Sequence, residues 1–272
     1  MSVQKTEKGQ RVTIRKLQER ARAGEKLVML TCYDASFARI SDEAGVDMLL
    51  IGDSLGMVIQ GNDDTLSVTV ADTEYHVRCV ARGSERALVI ADMPFGSFQE
   101  SPAQAFRNCS KMMAAGAQMV KLEGGAVMVK TTEFLVKRGI PVCAHIGLTP
   151  QSVNVFGGYR VQGREEEAAN RLVADAKALE EAGAAIVLME AMPAAVAKRV
   201  TESISVPTIG IGAGPHVSGQ VLVNYDILDI YPGRKARFVK NFLAEAGSVK
   251  GAIEAYVKAV KEGRYPAAEH AF

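Results

Sequence analysis

The sequence predicts an α/β chain folded as a (β/α)8 TIM barrel, a parallel eight-stranded closed sheet in a single domain over residues 1–272. Three observations lead to this. Short apolar runs recur along the chain, each followed by a Gly- or Asp-bearing turn and then a stretch of helical character. The runs are too short for helices and lack clean alternation, which is how strands buried on both faces of a parallel sheet read. The length of 272 residues, with 48% hydrophobic content, suits one closed barrel, for which about 250 residues is typical. An open doubly wound sheet is the competing arrangement.

The strand runs fall at residues 27–31, 48–51, 88–91, 119–122, 142–144, 186–189, 208–211 and 221–223. Helices are expected between them, with right-handed crossovers. Ser101-Pro102-Ala103-Gln104 supplies an N-cap, a proline at the first helical position and a capping-box glutamine. That helix carries Phe106, Cys109 and Met113 at helical spacing and stops near Gly116. A second long helix spans 164–182 and ends at Gly183. Two segments break the repeat. Residues 55–70 contain alternating Leu66, Val68 and Val70 and are expected to form an inserted hairpin; the glycine-rich stretch 157–164 reads as a mobile loop. An N-terminal extension (about 1–25) and a C-terminal helix and tail (about 239–272) flank the barrel.

Lys and Arg number 32 against 31 Asp and Glu, for a net charge of +1. Nothing in that balance suggests a nucleic-acid binder, which should carry a basic face. The four cysteines, Cys32, Cys79, Cys109 and Cys143, are far apart and lack zinc or disulfide spacing, so reduced thiols in the cytoplasm are expected. The N-terminus has no apolar core of a signal peptide, and no run approaches the ~18 apolar residues of a membrane span.

A barrel draws its catalytic groups from the carboxyl ends of its strands. That rule gathers Tyr33 and Asp34, Asp53 and Ser54, Asp92, Glu123, His145, Glu190 and the glycine turn from Gly210 to Gly214. Carboxylates converging on one mouth repel unless a cation sits among them. Hard oxygen ligands without a Cys or His cluster favour Mg²⁺, with Asp53, Asp92 and Glu123 as ligands or holders of metal-bound water. Singly, each acid has a plainer reading: a strand-end Asp often caps the next helix. Lys121 and Glu123 are two apart on one strand and so share a face, leaving Val120 and Leu122 to the helices. Lys121 then serves an anionic substrate, a structural ion pair, or a Schiff base, although surrounding acids favour its protonated form. Glu190 sits between Met189 and Ala191-Met192-Pro193; loss of hydration there suits a carboxylate to accept a proton. His145 is an accessory or a core histidine.

Read together and in order, Ile51-Gly52-Asp53-Ser54-Leu55-Gly56-Met57, Ala91-Asp92-Met93-Pro94-Phe95, Lys121-Leu122-Glu123-Gly124-Gly125, His145-Ile146-Gly147-Leu148-Thr149-Pro150-Gln151 and the stretch from Pro207 to Gly214 closely resemble the ketopantoate hydroxymethyltransferase family. The resemblance runs from about residue 13 into the 266–272 tail. It implies a barrel enzyme that takes Mg²⁺ as metal and 5,10-methylenetetrahydrofolate as co-substrate. The implied reaction hydroxymethylates 3-methyl-2-oxobutanoate to ketopantoate, the first committed step of pantothenate biosynthesis. It further implies that Asp53 and Asp92 hold the metal with Glu123 completing its surroundings. Asp53, Ser54, Asp92 and Lys121 would touch the oxo acid, and Glu190 would accept the proton. The family assembles as a homodecamer, a pentamer of dimers. This chain departs from the family pattern at Ser218, where an Asp is expected, and at Asp229, where a glycine is usual. A Mg²⁺-dependent 2-oxo-acid lyase or mutase on a related barrel would share the acid ring; a class I aldolase or a silent scaffold are more distant readings.

Overall fold

The computed structural model describes residues 10–272, so the first nine positions of the expected N-terminal extension lie outside the described residues. Eight parallel strands close in sequence order, β1 (Leu27–Thr31), β2 (Met48–Ile51), β3 (Leu88–Asp92), β4 (Met119–Glu123), β5 (Val142–Gly147), β6 (Ile186–Glu190), β7 (Thr208–Ile211) and β8 (Gly219–Leu222), with β8 pairing back to β1. The closed barrel removes the open-sheet alternative.

Alternation along each strand divides the apolar residues into two cores. Leu27, Met29, Met48, Leu50, Leu88 and Ile90 fill the barrel interior, while Val28, Leu30, Leu49, Val89, Val120 and Leu122 pack outward against the helices. Both sets are buried, which is why no polar alternation shows in the sequence. Part of the expected N-terminal extension is itself a helix, α1 (Ile14–Arg22). Its Leu17 is fully buried with Val12 against the first residues of the strands and so stoppers the amino end of the barrel.

The remaining helices are α2 (Ala35–Glu43), α3 (Leu55–Val58), α4 (Val70–Gly83), α5 (Pro102–Ala115), α6 (Val129–Val136), α7 (Val153–Phe156), α8 (Glu166–Glu181), α9 (Ala194–Ser203), α10 (Asn224–Ile227), α11 (Leu243–Ala246) and α12 (Val249–Lys261). Helix α5 starts and stops where the sequence placed it: Ser101 caps it by accepting from the Gln104 N–H at 3.1 Å, and Gly116 ends it at φ +116°. Gln104 reaches back one residue further than a capping box requires, accepting from the Glu100 N–H at 3.2 Å.

The inserted hairpin is not formed. Residues 55–70 make α3, a run of turns and the entry to α4. Val68 is buried beneath Gly56, where an added Cβ would stand 2.7 Å from its methyl. Thr69 and Asp72 then make a reciprocal capping box. The alternating valines therefore mark a helix entrance, because the cap fixes Val70 in helix. The stretch 157–164 is a loop as expected, tied by the Gln162 N–H to Ala191 O at 2.9 Å.

Between β7 and β8 no helix intervenes among the described residues. Instead α12 packs on β1, its Tyr256 hydroxyl donating to Met29 O at 3.0 Å. Strand β8 begins at Gly219, earlier than the apolar run suggested, pairing there with Leu27 and Ile209, and a side chain at that position would collide with Leu27 O. Asp229 has φ +59°, the left-handed region that glycine adopts freely. It earns the position by accepting from Asn241 Nδ2 at 3.0 Å and pairing with Lys235.

Gly83 tests how closely the outer helices pack. Alanine normally stabilises a helix interior over glycine by ~0.5–1 kcal/mol. Here its Cβ would fall 2.2 Å from Ala35 O, so overpacking at a rigid backbone should win. Gly83→Ala is expected to lower stability by about 1–3 kcal/mol, read as a fall in the urea midpoint at unchanged slope.

Candidate active site

Strands β3 to β6 run one to three residues further toward the mouth than their apolar runs do, and the added residues carry the chemistry. Asp92 closes β3, Glu123 closes β4, and Glu190 closes β6. Register then decides who meets whom. Asp92 is the Cα partner of Lys121, and Glu123 that of His145. Parallel partners point the same way, so the four side chains converge inside the barrel mouth.

Lys121 Nζ lies 2.7 Å from both Asp92 oxygens and 3.3 Å from Glu123 Oε1. Its burial would favour the neutral amine, but Asp92, Glu123 and Asp53 outweigh that and raise its pKa. It stays an ammonium, which makes it a poor Schiff-base nucleophile. Against the cost of burial, Lys121 and His145 hold Glu123 down to about 2. Both its oxygens are engaged, Oε1 with Lys121 and Oε2 accepting from the Gln151 N–H at 2.9 Å.

Asp53 stands differently. Among the described residues its carboxylate has one donor, Gln151 Nε2 at 2.9 Å. Burial, then the charges of Asp92 and Glu123, push its pKa well above the usual value. Its backbone N–H donates to Asp92 Oδ2 at 3.3 Å, which brings the two carboxyls together. Oxygens of Asp53, Asp92 and Glu123 lie within 4.8 Å of one another, all buried. An under-compensated carboxylate in an all-oxygen donor set fits a hard divalent cation.

His145 bridges this cluster to Glu190. Its Nδ1 is 3.3 Å from Glu123 Oε1 and its Nε2 3.4 Å from Glu190 Oε2. Neither contact is aligned as a hydrogen bond, so the attraction is mainly of charge. Burial and Lys121 oppose protonation, yet the two glutamates push the imidazole up to about 8. His145 is thus a buried histidine set between two carboxylates. Ala191, next to Glu190, has φ +44° and is pinned by its N–H to Ile211 O at 2.9 Å. This strained turn, costing roughly 1–2 kcal/mol, fixes where Glu190 points.

Ser54 leaves its helix uncapped and meets the Tyr33 hydroxyl at 2.8 Å. Asp34, by contrast, does what the plain reading allowed: it caps α2 through the N–H groups of Ser36 and Phe37. The Gly210–Gly214 turn is filled by the protein itself, since Phe238 and Phe272 pack against Gly212. Two parts of the site carried no chemical signal in the sequence. Gln151 joins the cluster, its side-chain amide donating to Asp53 and to Met93 O and its backbone N–H to Glu123. The irregular segment around Tyr231 to Phe238, with the C-terminal Phe272, completes a cavity of about 710 Å³ over the cluster.

Fold and site together define a (β/α)8-barrel enzyme with a cation-suited carboxylate centre at the carboxyl end of its strands. Among the described residues no helix is long and apolar enough to cross a membrane. The chain belongs to the ketopantoate hydroxymethyltransferase family, whose profile matches residues 11–268. It is 61% identical to a 3-methyl-2-oxobutanoate hydroxymethyltransferase of Chromobacterium violaceum over 96% of this chain and 100% of that one. A second such enzyme, of Thiobacillus denitrificans, is 62% identical over 96% of this chain and 99% of its own. Among solved structures, a 2,3-dimethylmalate lyase of the PEP mutase/isocitrate lyase superfamily superposes with a TM-score of 0.56 at 18% identity, over 77% of this chain and 80% of that one. At that identity the likeness is one of fold.

Proposed function

We propose that this chain transfers a hydroxymethyl group from 5,10-methylenetetrahydrofolate to 3-methyl-2-oxobutanoate, giving ketopantoate (2-dehydropantoate) and tetrahydrofolate in pantothenate and coenzyme A biosynthesis. The relatives that match it end to end carry that transferase name. The observation that carries the reading to the residues is the convergence of Asp53, Ser54, Asp92, Lys121, Glu123 and Glu190 on one cavity.

In this reading Asp53 and Asp92 hold Mg²⁺, with Glu123 behind it. When bound, the ion supplies a Lewis acid for the carboxylate and ketone oxygens of the oxo acid. Lys121, kept charged by Asp92, steadies the same oxygens, and Ser54 offers them a hydroxyl. Glu190 takes the proton from C3. The protonated His145 keeps the Glu190 carboxylate beside the cluster and offsets its charge. Water releases the one-carbon unit of the donor as formaldehyde, leaving tetrahydrofolate; the carbon nucleophile adds to that carbon, and the new alkoxide takes back the proton held by Glu190. Decameric assembly belongs to the same proposal.

The test is product formation from 3-methyl-2-oxobutanoate and methylenetetrahydrofolate. Chelation with EDTA is expected to cut turnover about 10²-fold or more, and added Mg²⁺ to restore it. Cleavage or rearrangement of an oxo acid without any folate would favour the lyase or mutase reading instead.

A further inference from the structure

The cavity has two unlike arcs. From β2 round to β6 its wall holds the charged cluster, whereas around β7, β8 and β1 it holds Asp226, Tyr231, Arg234, Phe238 and Phe272. The chemistry above uses none of this second group. A volume of about 710 Å³ is that of sites enclosing drug-sized ligands, more than a five-carbon oxo acid fills.

Asp226 is the unexplained member. It sits in α10 just beyond β8 and is half-buried, and that burial pushes its carboxyl up to about 6, with only the charge of Lys235 pulling the other way. Lys235 is itself paired with Asp229. Among the described residues no hydrogen bond or ion pair reaches the Asp226 carboxylate. A carboxylate half-withdrawn from water and without a protein donor favours a ligand that brings donors of its own. Around it the wall is aromatic: Phe238 and Phe272 lie so close over Gly212 that an added Cβ would meet them at 2.6 and 3.1 Å. Flat rings pack well on such a wall. Arg234 on the same arc adds positive charge toward a ligand with carboxylates.

A folate has all three complements. Its pterin carries an N3–H and a 2-amino group side by side, which match the two oxygens of a carboxylate. Its ring faces are flat, and its glutamyl end is anionic. We propose that Asp226 is the recognition residue for the pterin of the one-carbon donor, accepting paired hydrogen bonds from N3–H and the 2-amino group while Tyr231, Phe238 and Phe272 flank the ring. This rests on the functional reading above, since it takes the donor to be a folate.

The experiment titrates tetrahydrofolate and its 2-desamino-2-methyl analogue into the full chain and into Asp226→Asn by calorimetry, with thermal melts reporting the fold of the variant. The wild-type protein should prefer tetrahydrofolate by roughly 10–100-fold, the worth of a hydrogen bond to a charged group. Asp226→Asn should lose that preference by weakening toward tetrahydrofolate alone. Its KM for methylenetetrahydrofolate should rise by a similar factor, ahead of any rise for the oxo acid. Asp226→Ser serves the same comparison if the asparagine variant melts abnormally. A wild-type protein that does not distinguish the two ligands, or a folded variant that still does, overturns the assignment and leaves the transferase reading intact. Failure of the wild-type chain to bind or turn over the folate at all would remove both.

Discussion

Glu190→Gln is expected to slow exchange of the C3 proton of 3-methyl-2-oxobutanoate into D₂O by roughly 10²–10⁴-fold, the usual contribution of a positioned general base. The exchange needs no folate, so it isolates proton removal from carbon transfer. The substitution keeps the shape of the side chain, which ends β6 with 16% of its surface exposed, and leaves Lys121, Asp92 and Asp53 untouched. Binding of the oxo acid should therefore persist while kcat falls, and the C3 isotope effect on turnover should become larger. His145 gives the result a second reading: with one of its two glutamates neutral, the imidazole loses part of what pushes it up to about 8. Because its folded pKa is raised, the charged form is present below that value and lost above it. The variant should shed that proton at a lower pH, visible in the histidine NMR titration. Undiminished exchange in Glu190→Gln would take the base assignment away from it.

The barrel was legible because its logic is repetitive. Eight short apolar runs with turn residues behind them leave little choice of architecture, and β1, β2 and β7 match their runs residue for residue. The strand ends were harder, because Asp92, Glu123 and Glu190 are strand residues by hydrogen bonding and loop residues by composition. What places them is register, and register is a property of two strands at once. Reciprocal capping at Thr69 and Asp72 overrode the alternation of Leu66, Val68 and Val70, a local pattern that fits a strand and a helix entrance alike. Gln151 and Asp226 were invisible for a different reason. An amide and a lone acid acquire meaning only from the buried partners that they have or lack, and those partners come from distant parts of the chain.

Lys121 carries the second large effect. Among the described residues it is the one ammonium facing Asp92 and Glu123 at hydrogen-bond range, so Lys121→Met should leave buried carboxylates without compensation. Breaking a buried ion pair from one side costs about 3–5 kcal/mol, and that loss is expected in urea denaturation of the chelated protein at pH 7. Two consequences separate this from a simple packing defect. First, Mg²⁺ added at saturating concentration should recover part of the loss, since a cation beside Asp53 and Asp92 relieves the same repulsion and stabilises the folded state by mass action. Second, the deficit should depend on pH with a definite sign. Glu123 is held at about 2, below its ordinary 4.5, so its contribution in the wild-type protein is complete above the ordinary value and vanishes as pH falls through about 2. The gap between wild type and variant should accordingly narrow from pH 4.5 downward. Equal stability of the two proteins at pH 7 in the presence of chelator would mean that Lys121 is not the charge that holds this cluster together.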